Sequence, residues 1–514
     1  MALSTDEENK VREIIEAFTN GKRLSDLPNV SGNNPFNLLC EVLEDGESKK
    51  AALATMLPYM EEQCMYGIER DKTVSSRLVT RIGNTALHKS LPVHNRMRGC
   101  LLDDDGNVVE YLNPRDWTGH VRDGSRGQVM VEFGDFYCRF ETSANIERVK
   151  FSLFPLPGYR YVPLMYVSAY EATVQRSTNK LSSVVNTTAD YRGGANQADW
   201  DTLSKTVLGR PATQISRTNF RTYARNRKAG STKWNCMTYD VQKMLYWLFV
   251  VEYATLNSQE AFNTQLTAEG YRQGGLGDGV TTLDSGKWNT FNGYYPFIPC
   301  GYTDELGNGT GEKEYTMPTE YDASSKKVKV CRYRGIENPF GHIWQWTDGI
   351  NVRINPGSNG LSEVFVCSDP SKFNDSNYNG YSHVGNEARA EGYVKEIIFG
   401  ESGEIIPALV GGGSTTYFCD YHYTNIPASV ALRGVLFGGR AVNGAYAGLA
   451  YANSNNTPSN TNANIGSHLC FKIGFDNMKQ YKRMTALPLG KRFQANLLKV
   501  LVGTPVVWAT EDSE

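Results

Sequence analysis

The chain has 514 residues, with 53 Lys plus Arg against 55 Asp plus Glu and a net charge of −2. That length predicts two or three domains, and so even a charge balance disfavours generic binding to nucleic acid or anionic membrane. Hydrophobic residues at 40% are enough for a core, while 49 Gly and 29 Tyr point to long loops and aromatic faces rather than a helical bundle.

Residues 1–9 are polar and acidic and lack the basic and apolar regions of a secretory signal, which predicts folding in a cytoplasm. The best apolar run, 244–251, is too short to span a membrane. Ser4-Thr5-Asp6-Glu7 is a capping box for a helix carrying Val11, Ile14, Ile15 and Phe18 on one stripe. A second short helix is predicted after Ser48, with Leu53, Met56, Leu57 and Met60 at the same spacing. Helices this short need something to pack on, which fits either a small subdomain or a docking element.

From about Val79 the pattern changes to strands. Asp103 to Asn107 form a turn cluster between Leu101-Leu102 and Val108-Val109. They lack the spacing and closing Glu of a calcium-binding EF loop. Val129, Val131 and Phe133 alternate with polar or flexible residues, and Gly134-Asp135 fits a type II′ hairpin turn into 136–140. Val149, Phe151 and Leu153 alternate as well, before the turn signal Pro155-Leu156-Pro157-Gly158.

Beyond Tyr161, residues 165–174 read as a strand and 216–227 as a basic, polar helix. Residues 238–256 read as a helix apolar nearly all round, hence buried. Some two hundred residues rich in Gly, Asn, Ser, Thr and Tyr follow, with short strands predicted at 328–333, 350–354, 364–367 and 393–398. Phe493, Leu497, Val500 and Leu501 give one more amphipathic helix, ended by Gly503 and Pro505.

Little in the sequence points to catalysis. The ten cysteines have no CxxC spacing and read as small buried apolar residues. Cys419 and His422 lack the second pair a metal corner needs. The glycine run Gly274 to Gly279 has no GKS/T after it and reads as a flexible loop. No Gly-x-Ser-x-Gly elbow and no HExxH occurs. The expectation is a protein with no catalytic residues, no metal and no cofactor.

Three segments carry a resemblance. Residues 335–349 read Gly-Ile-Glu-Asn-Pro-Phe-Gly-His-Ile-Trp-Gln-Trp-Thr-Asp-Gly. Residues 431–439 read Ala-Leu-Arg-Gly-Val-Leu-Phe-Gly-Gly, and 465–471 read Ile-Gly-Ser-His-Leu-Cys-Phe. In order and character they resemble the signature segments of the C-type-lectin-like fold shared with the formylglycine-generating-enzyme family. Residues 166–174 resemble that family's opening strand and 247–254 its second helix, so the resemblance spans 161–472. The oxidase branch of the family has a cysteine pair near its C-terminal segment, and none lies between Arg433 and Cys470 here. The other branch is the variable proteins of diversity-generating retroelements, including phage tropism determinants. Residues 127–140 are also similar to a segment of phage tail-fibre proteins, with Gly134-Asp135 where that pattern has Ile-Pro.

The resemblance implies an α+β chain: a helical docking segment (1–75), a β-rich module (76–160), a C-type-lectin-like display domain (161–472) and a C-terminal extension (473–514). It implies a ligand-binding variable surface made of Phe437, Arg440, Val442, Asn443, Tyr446, Tyr451, Asn453, Asn455, Asn456, Asn460, Asn462 and His468. The asparagines fit adenine-directed mutagenesis, which acts on AAC and AAT codons. Along 449–455, alternation would put Tyr451, Asn453 and Asn455 on one face and Ala450, Ala452 and Ser454 on the other. Tyrosines with adaptable amides are the chemistry of a paratope. The implied function is a phage receptor-binding or adhesion protein on the virion, made in the bacterial cytoplasm. Its partners would be a host-cell surface protein or glycan and, through the N-terminal region, other virion proteins, as a homo-oligomer, with no nucleic acid and no membrane insertion. The alternatives are a non-binding decoration or collar protein and, third, an oxidase of the formylglycine-generating type.

Overall fold

The computed structural model describes residues 61–472 and the backbone of Leu39–Glu44 and Glu47–Ala52. The two outermost predicted helices, at 4–18 and 493–501, lie outside the described residues. The chain is α+β and rich in strand, with few helices. Where the second helix was expected to begin, Glu47–Ala52 is instead a strand antiparallel to Leu39–Glu44. Asp45-Gly46 between them is the dipeptide most favourable to a two-residue hairpin, and it outweighs the helical spacing there. The rest of that predicted helix, through Met60, falls on residues outside the description; residues 61–64 after it are helical.

Three sheets organise the molecule. The first has the order Arg160–Val162, Phe136–Ser143, Ile146–Ser152, Met65–Asp71, Thr80–Gly83. The second has the order Trp234–Cys236, Leu469–Lys472, Met165–Ser168, Gln128–Phe133, Arg98–Leu102, Val108–Tyr111. Its last pair turns through Asp103, whose Oδ1 accepts from the backbone N–H of Asp105 (2.9 Å) and Asn107 (2.8 Å), as the turn cluster predicts. The expected hairpin at Gly134-Asp135 is not one. The strands on either side belong to different sheets, and both residues have positive φ, 110° and 58°. A Cβ on Gly134 would stand 2.3 Å from the Pro163 carbonyl. Arg96 holds Asp135 through its carbonyl (2.7 Å) and carboxylate (2.8 Å), so the dipeptide is a crossing point between sheets. The stretch 165–174 likewise splits, into Met165–Ser168 and Thr173–Gln175, the latter paired with Lys180–Ser182. Strand pairing runs across residue 160: Gln128–Phe133 hydrogen-bonds to Met165–Ser168.

The third sheet carries three of the four strands predicted in the long region; the fourth, Lys327–Tyr333, pairs instead with Gly311–Thr316 and Ile336–Glu337. The order of the third sheet is Ser382–Asn386, Ser362–Val366, Trp344–Ile354, Ala431–Gly438, Gly448–Asn453, Tyr421–Tyr423, Gly392–Phe399, Glu404–Val410, with Ile465–Gly466 also paired to Trp344–Ile354. The predicted buried helix is Tyr239–Tyr253, in which every side chain but Asp240 is buried. It packs on Trp344–Ile354 and Gly448–Asn453. Gln242 Nε2 donates to the Leu449 carbonyl (2.7 Å), and Trp247 Nε1 to that of Gly403 (2.7 Å). Buried Glu252 is gripped by Arg334 at 2.6 and 2.7 Å. Removing either partner would strand a buried charge, at a cost of about 3–5 kcal/mol.

Helix Arg217–Arg225 begins at the Ser216 cap, close to expectation, but its polarity does not mean exposure. Arg217 is fully buried, with Nε on Asp375 (2.7 Å) and Nη2 on Asn351 (2.6 Å). Arg221 pairs with Asp348 and Asp375. The glycine run has the Glu312 carboxylate against Gly277, where an added Cβ would lie 2.4 Å from Oε2. An acid in that place repels a phosphate rather than cradling it.

Candidate functional site

The three signature segments, far apart in sequence, meet in the third sheet. Trp344–Ile354 is antiparallel to Ala431–Gly438, with Gln345 opposite Phe437, and parallel to Ile465–Gly466. Ala431–Gly438 then pairs with Gly448–Asn453, and the link between them (439–447) projects from one end of the sheet. That link is pinned. Asn443 Oδ1 accepts from the Arg440 N–H (2.8 Å), Gly444 N–H donates to the Thr281 carbonyl (2.7 Å), and Gln259 reaches the carbonyls of Gly444 and Ala447.

At the tip sits Tyr446, 42% exposed. Its ring stacks on Tyr421, centroids 4.2 Å apart and planes 27° apart. Tyr393 meets both edge-on, at 5.4 Å each. Tyr451 lies beneath, 5.9 Å from Tyr421 and 4.7 Å from Trp344. Tyr423, two residues from Tyr421, lies on the same strand face. The hydroxyls of Tyr421, Tyr423 and Tyr446 make no hydrogen bond to the described residues. This tyrosine patch offers apolar ring area and unspent polar groups together, the combination that makes Tyr effective at interfaces.

The strand positions explain the cluster. Tyr421–Tyr423 runs parallel to Gly448–Asn453, with His422 opposite Ala452, and antiparallel to Gly392–Phe399, with Tyr393 opposite Tyr421. His422 points inward, its Nε2 2.9 Å from the Ala388 carbonyl and its Nδ1 3.3 Å from that of Ala452. Burial depresses its pKa. Its ring thus faces backbone carbonyls in the packing beneath the tyrosines. Among the described residues no group of three His, Cys, Asp or Glu side chains is set to hold a metal ion.

The floor of the patch contains Asp420, fully buried. Its Oδ2 accepts from the Ala450 N–H (2.7 Å), while Oδ1 has no partner among the described residues. Burial raises its pKa well above the ordinary carboxylate range. The carboxyl is pressed against Gly448, where a Cβ would be 1.9 Å from Oδ1. At the other end of the same strand Glu387, also buried, accepts from Ser454 Oγ (2.6 Å) and Thr424 Oγ1 (3.3 Å). Burial pushes its pKa up to about 7.

The structure divides the expected surface. Arg440, Val442, Asn443 and Tyr446 stand partly or well exposed at the tip. Asn455, Asn456, Asn460 and Asn462 are accessible past the far end of Gly448–Asn453, roughly 17 Å away at 3.3 Å per residue. Phe437, Tyr451, Asn453 and His468 are buried, which corrects their assignment to an exposed face. The cause is that Gly448–Asn453 lies inside a sheet covered on both sides, so all six of its residues are buried and alternation does not separate an outer face. Phe437 stacks on Tyr239 of the core helix, and His468 Nδ1 meets Ser168 Oγ (2.9 Å). Two of the asparagine side chains are spent on the loop itself, Asn460 Nδ2 donating to Asn456 Oδ1. Sequence reasoning missed Tyr393, Tyr421 and Tyr423. The alternation Tyr421-His422-Tyr423 was their one local signal.

No family model and no curated protein matches the chain. Among solved structures, a "Major Tropism Determinant U1 Variant" is 12% identical, with 73% of this chain and 72% of that chain covered at a TM-score of 0.23. An "I1 Variant" of the same name is 11% identical (66% and 72% covered, TM-score 0.19), and a "P3c Variant" 12% identical (66% and 72% covered, TM-score 0.18). These are weak structural neighbours, and at such TM-scores they carry no argument about this chain.

Proposed function

We propose that this chain is a receptor-binding protein of a phage virion, whose C-type-lectin-like domain presents the patch of Tyr393, Tyr421, Tyr423 and Tyr446 to a host-cell surface. One observation carries the reading: Tyr446 on a pinned loop stacks on the strand tyrosines at the end of a sheet, and the hydroxyls of Tyr421, Tyr423 and Tyr446 make no hydrogen bond to the described residues. A binding surface needs apolar area, adaptable polar groups and little conformational entropy to lose, and this one has all three. The meeting of the three signature segments in neighbouring strands supports the lectin-like architecture. In this reading the exposed part of 440–462 is the variable portion of the surface and the tyrosines of 393–423 its constant portion.

The test is binding of labelled protein to a panel of bacterial strains. A Tyr393→Ser/Tyr421→Ser/Tyr446→Ser variant, shown folded by circular dichroism, should lose more than nine-tenths of the binding seen with the parent. Undiminished binding would reject the site, and a parent that binds no strain would favour the decoration or collar protein.

A further inference from the structure

The segment from Arg217 to Lys233 has basic residues and no acidic one. Most of its cations find carboxylates elsewhere: Arg217 on Asp375 (2.5 Å), Arg221 on Asp348 (2.5 Å), Arg227 on Asp104 (2.7 Å) and Lys228 on Asp105. Arg225 does not. Its Nη2 donates to the Pro370 carbonyl (2.5 Å) and, at 3.5 Å, to Asn235 Oδ1, and among the described residues its buried Nε has no partner and no carboxylate lies within ion-pair distance. Arg225 lines a hollow of about 730 Å³ together with Thr178, Thr222, Asn226, residues 229–230, Ser231 and Thr232.

That hollow is rich in donors and contains no acid. The backbone N–H groups of Ala229, Gly230 and Thr232 donate to no protein acceptor among the described residues. Gly230 has φ +77° and nothing within 4 Å of where its Cβ would be, so the loop stays open there. Successive N–H groups around a left-handed residue make an anion-binding concavity, and a guanidinium without a carboxylate supplies the charge. A second hollow of about 580 Å³ differs in carrying acids: Asp103, Asp104 and Asp123 line it together with Arg126, Lys180 and Arg227. We propose that the Arg225 hollow binds a tetrahedral oxyanion, phosphate or sulfate, free or borne on a sugar. Burial and the nearby Arg221 charge both depress the Arg225 pKa, so a bound anion would relieve an uncompensated cation.

The experiment is calorimetric titration of the full chain with inorganic phosphate, sodium sulfate and glucose 6-phosphate, each at constant ionic strength. Saturable one-to-one binding of at least one of the three is expected, weakened at least tenfold in Arg225→Gln. Because Arg225→Gln also removes a contact to Pro370, Thr222→Glu serves as the second variant: it puts a carboxylate at an exposed rim position and should abolish binding with the fold intact. Tighter binding of glucose 6-phosphate than of phosphate identifies a sugar-borne group, and equal affinity identifies the free ion. Heats that do not saturate, or affinities unchanged in both variants, overturn the proposal.

Discussion

Tyr421 and Tyr446 stack at 4.2 Å although one belongs to an interior strand and the other to a loop tip. The contact ties the most exposed ring of the patch to the sheet. Such a pair is worth about 0.5–1.5 kcal/mol beyond its area. A double-mutant cycle of Tyr421→Ala and Tyr446→Ala, followed by urea unfolding, should return a coupling of that size. Tyr446→Ala alone should cost at most about 1 kcal/mol, since nearly half of the side chain is already in water. Additive effects would show that the two rings do not hold each other.

Asp420 predicts a pH-dependent stability. Its carboxyl has a raised pKa in the folded chain, so folding favours the protonated form. The associated stability is fully present below the unfolded carboxylate pKa, about 4, and is lost as pH rises above it. Asp420→Asn keeps an acceptor for the Ala450 N–H and cannot ionise. The variant should match the parent near pH 4 and exceed it in midpoint of unfolding at pH 8. A variant less stable at pH 8 would mean that the carboxylate is compensated.

Glu387 gives a narrower window. Its pKa rises from 4.5 to about 7, so its share of stability is present below pH 4.5 and is lost as pH rises to about 7. The shift corresponds to on the order of 3 kcal/mol. In Glu387→Gln the amide still meets Ser454 and Thr424. Its stability, measured against the parent's from pH 4 to 8, should show the parent falling behind across that window. Parallel curves would exclude Glu387 as the titrating group.

Gly448→Ala tests the packing of the floor. The new Cβ would collide with the Asp420 carboxyl, and overpacking of this kind costs about 1–3 kcal/mol. In an Asp420→Ala background the same change should cost much less. An equal cost in both backgrounds would place the clash elsewhere, at Ser258 Oγ, the other close atom.

How far the sequence was legible depended on whether the signal was local. The core helix was readable because its apolar residues are nearly continuous, and Trp344–Ile354 because its motif is compact. The tyrosine patch was half readable. Tyr446 lay in a stretch marked by resemblance, but Tyr393 and Tyr421 reach it through a parallel and an antiparallel pairing that no local pattern encodes. The face assignment along 449–455 failed because period-two alternation reports a face only when one side of a sheet meets water. The helix of 217–225 was legible but the burial of its arginines was not, because their acid partners, Asp348 and Asp375, lie more than a hundred residues later.

The second sheet sets an order of events during synthesis. Leu469–Lys472 lies inside it, hydrogen-bonded on one side to Met165–Ser168 and on the other to Trp234–Cys236. Until residue 472 has left the ribosome, Trp234–Cys236 has no partner in that sheet and Met165–Ser168 is paired on one side alone, to Gln128–Phe133. Until then the nascent chain carries two open strand edges facing a vacant slot, which any extended peptide is able to enter. Leu469–Lys472 is therefore the closing wedge of this sheet, and a chain broken off before it would be the form most prone to aggregate.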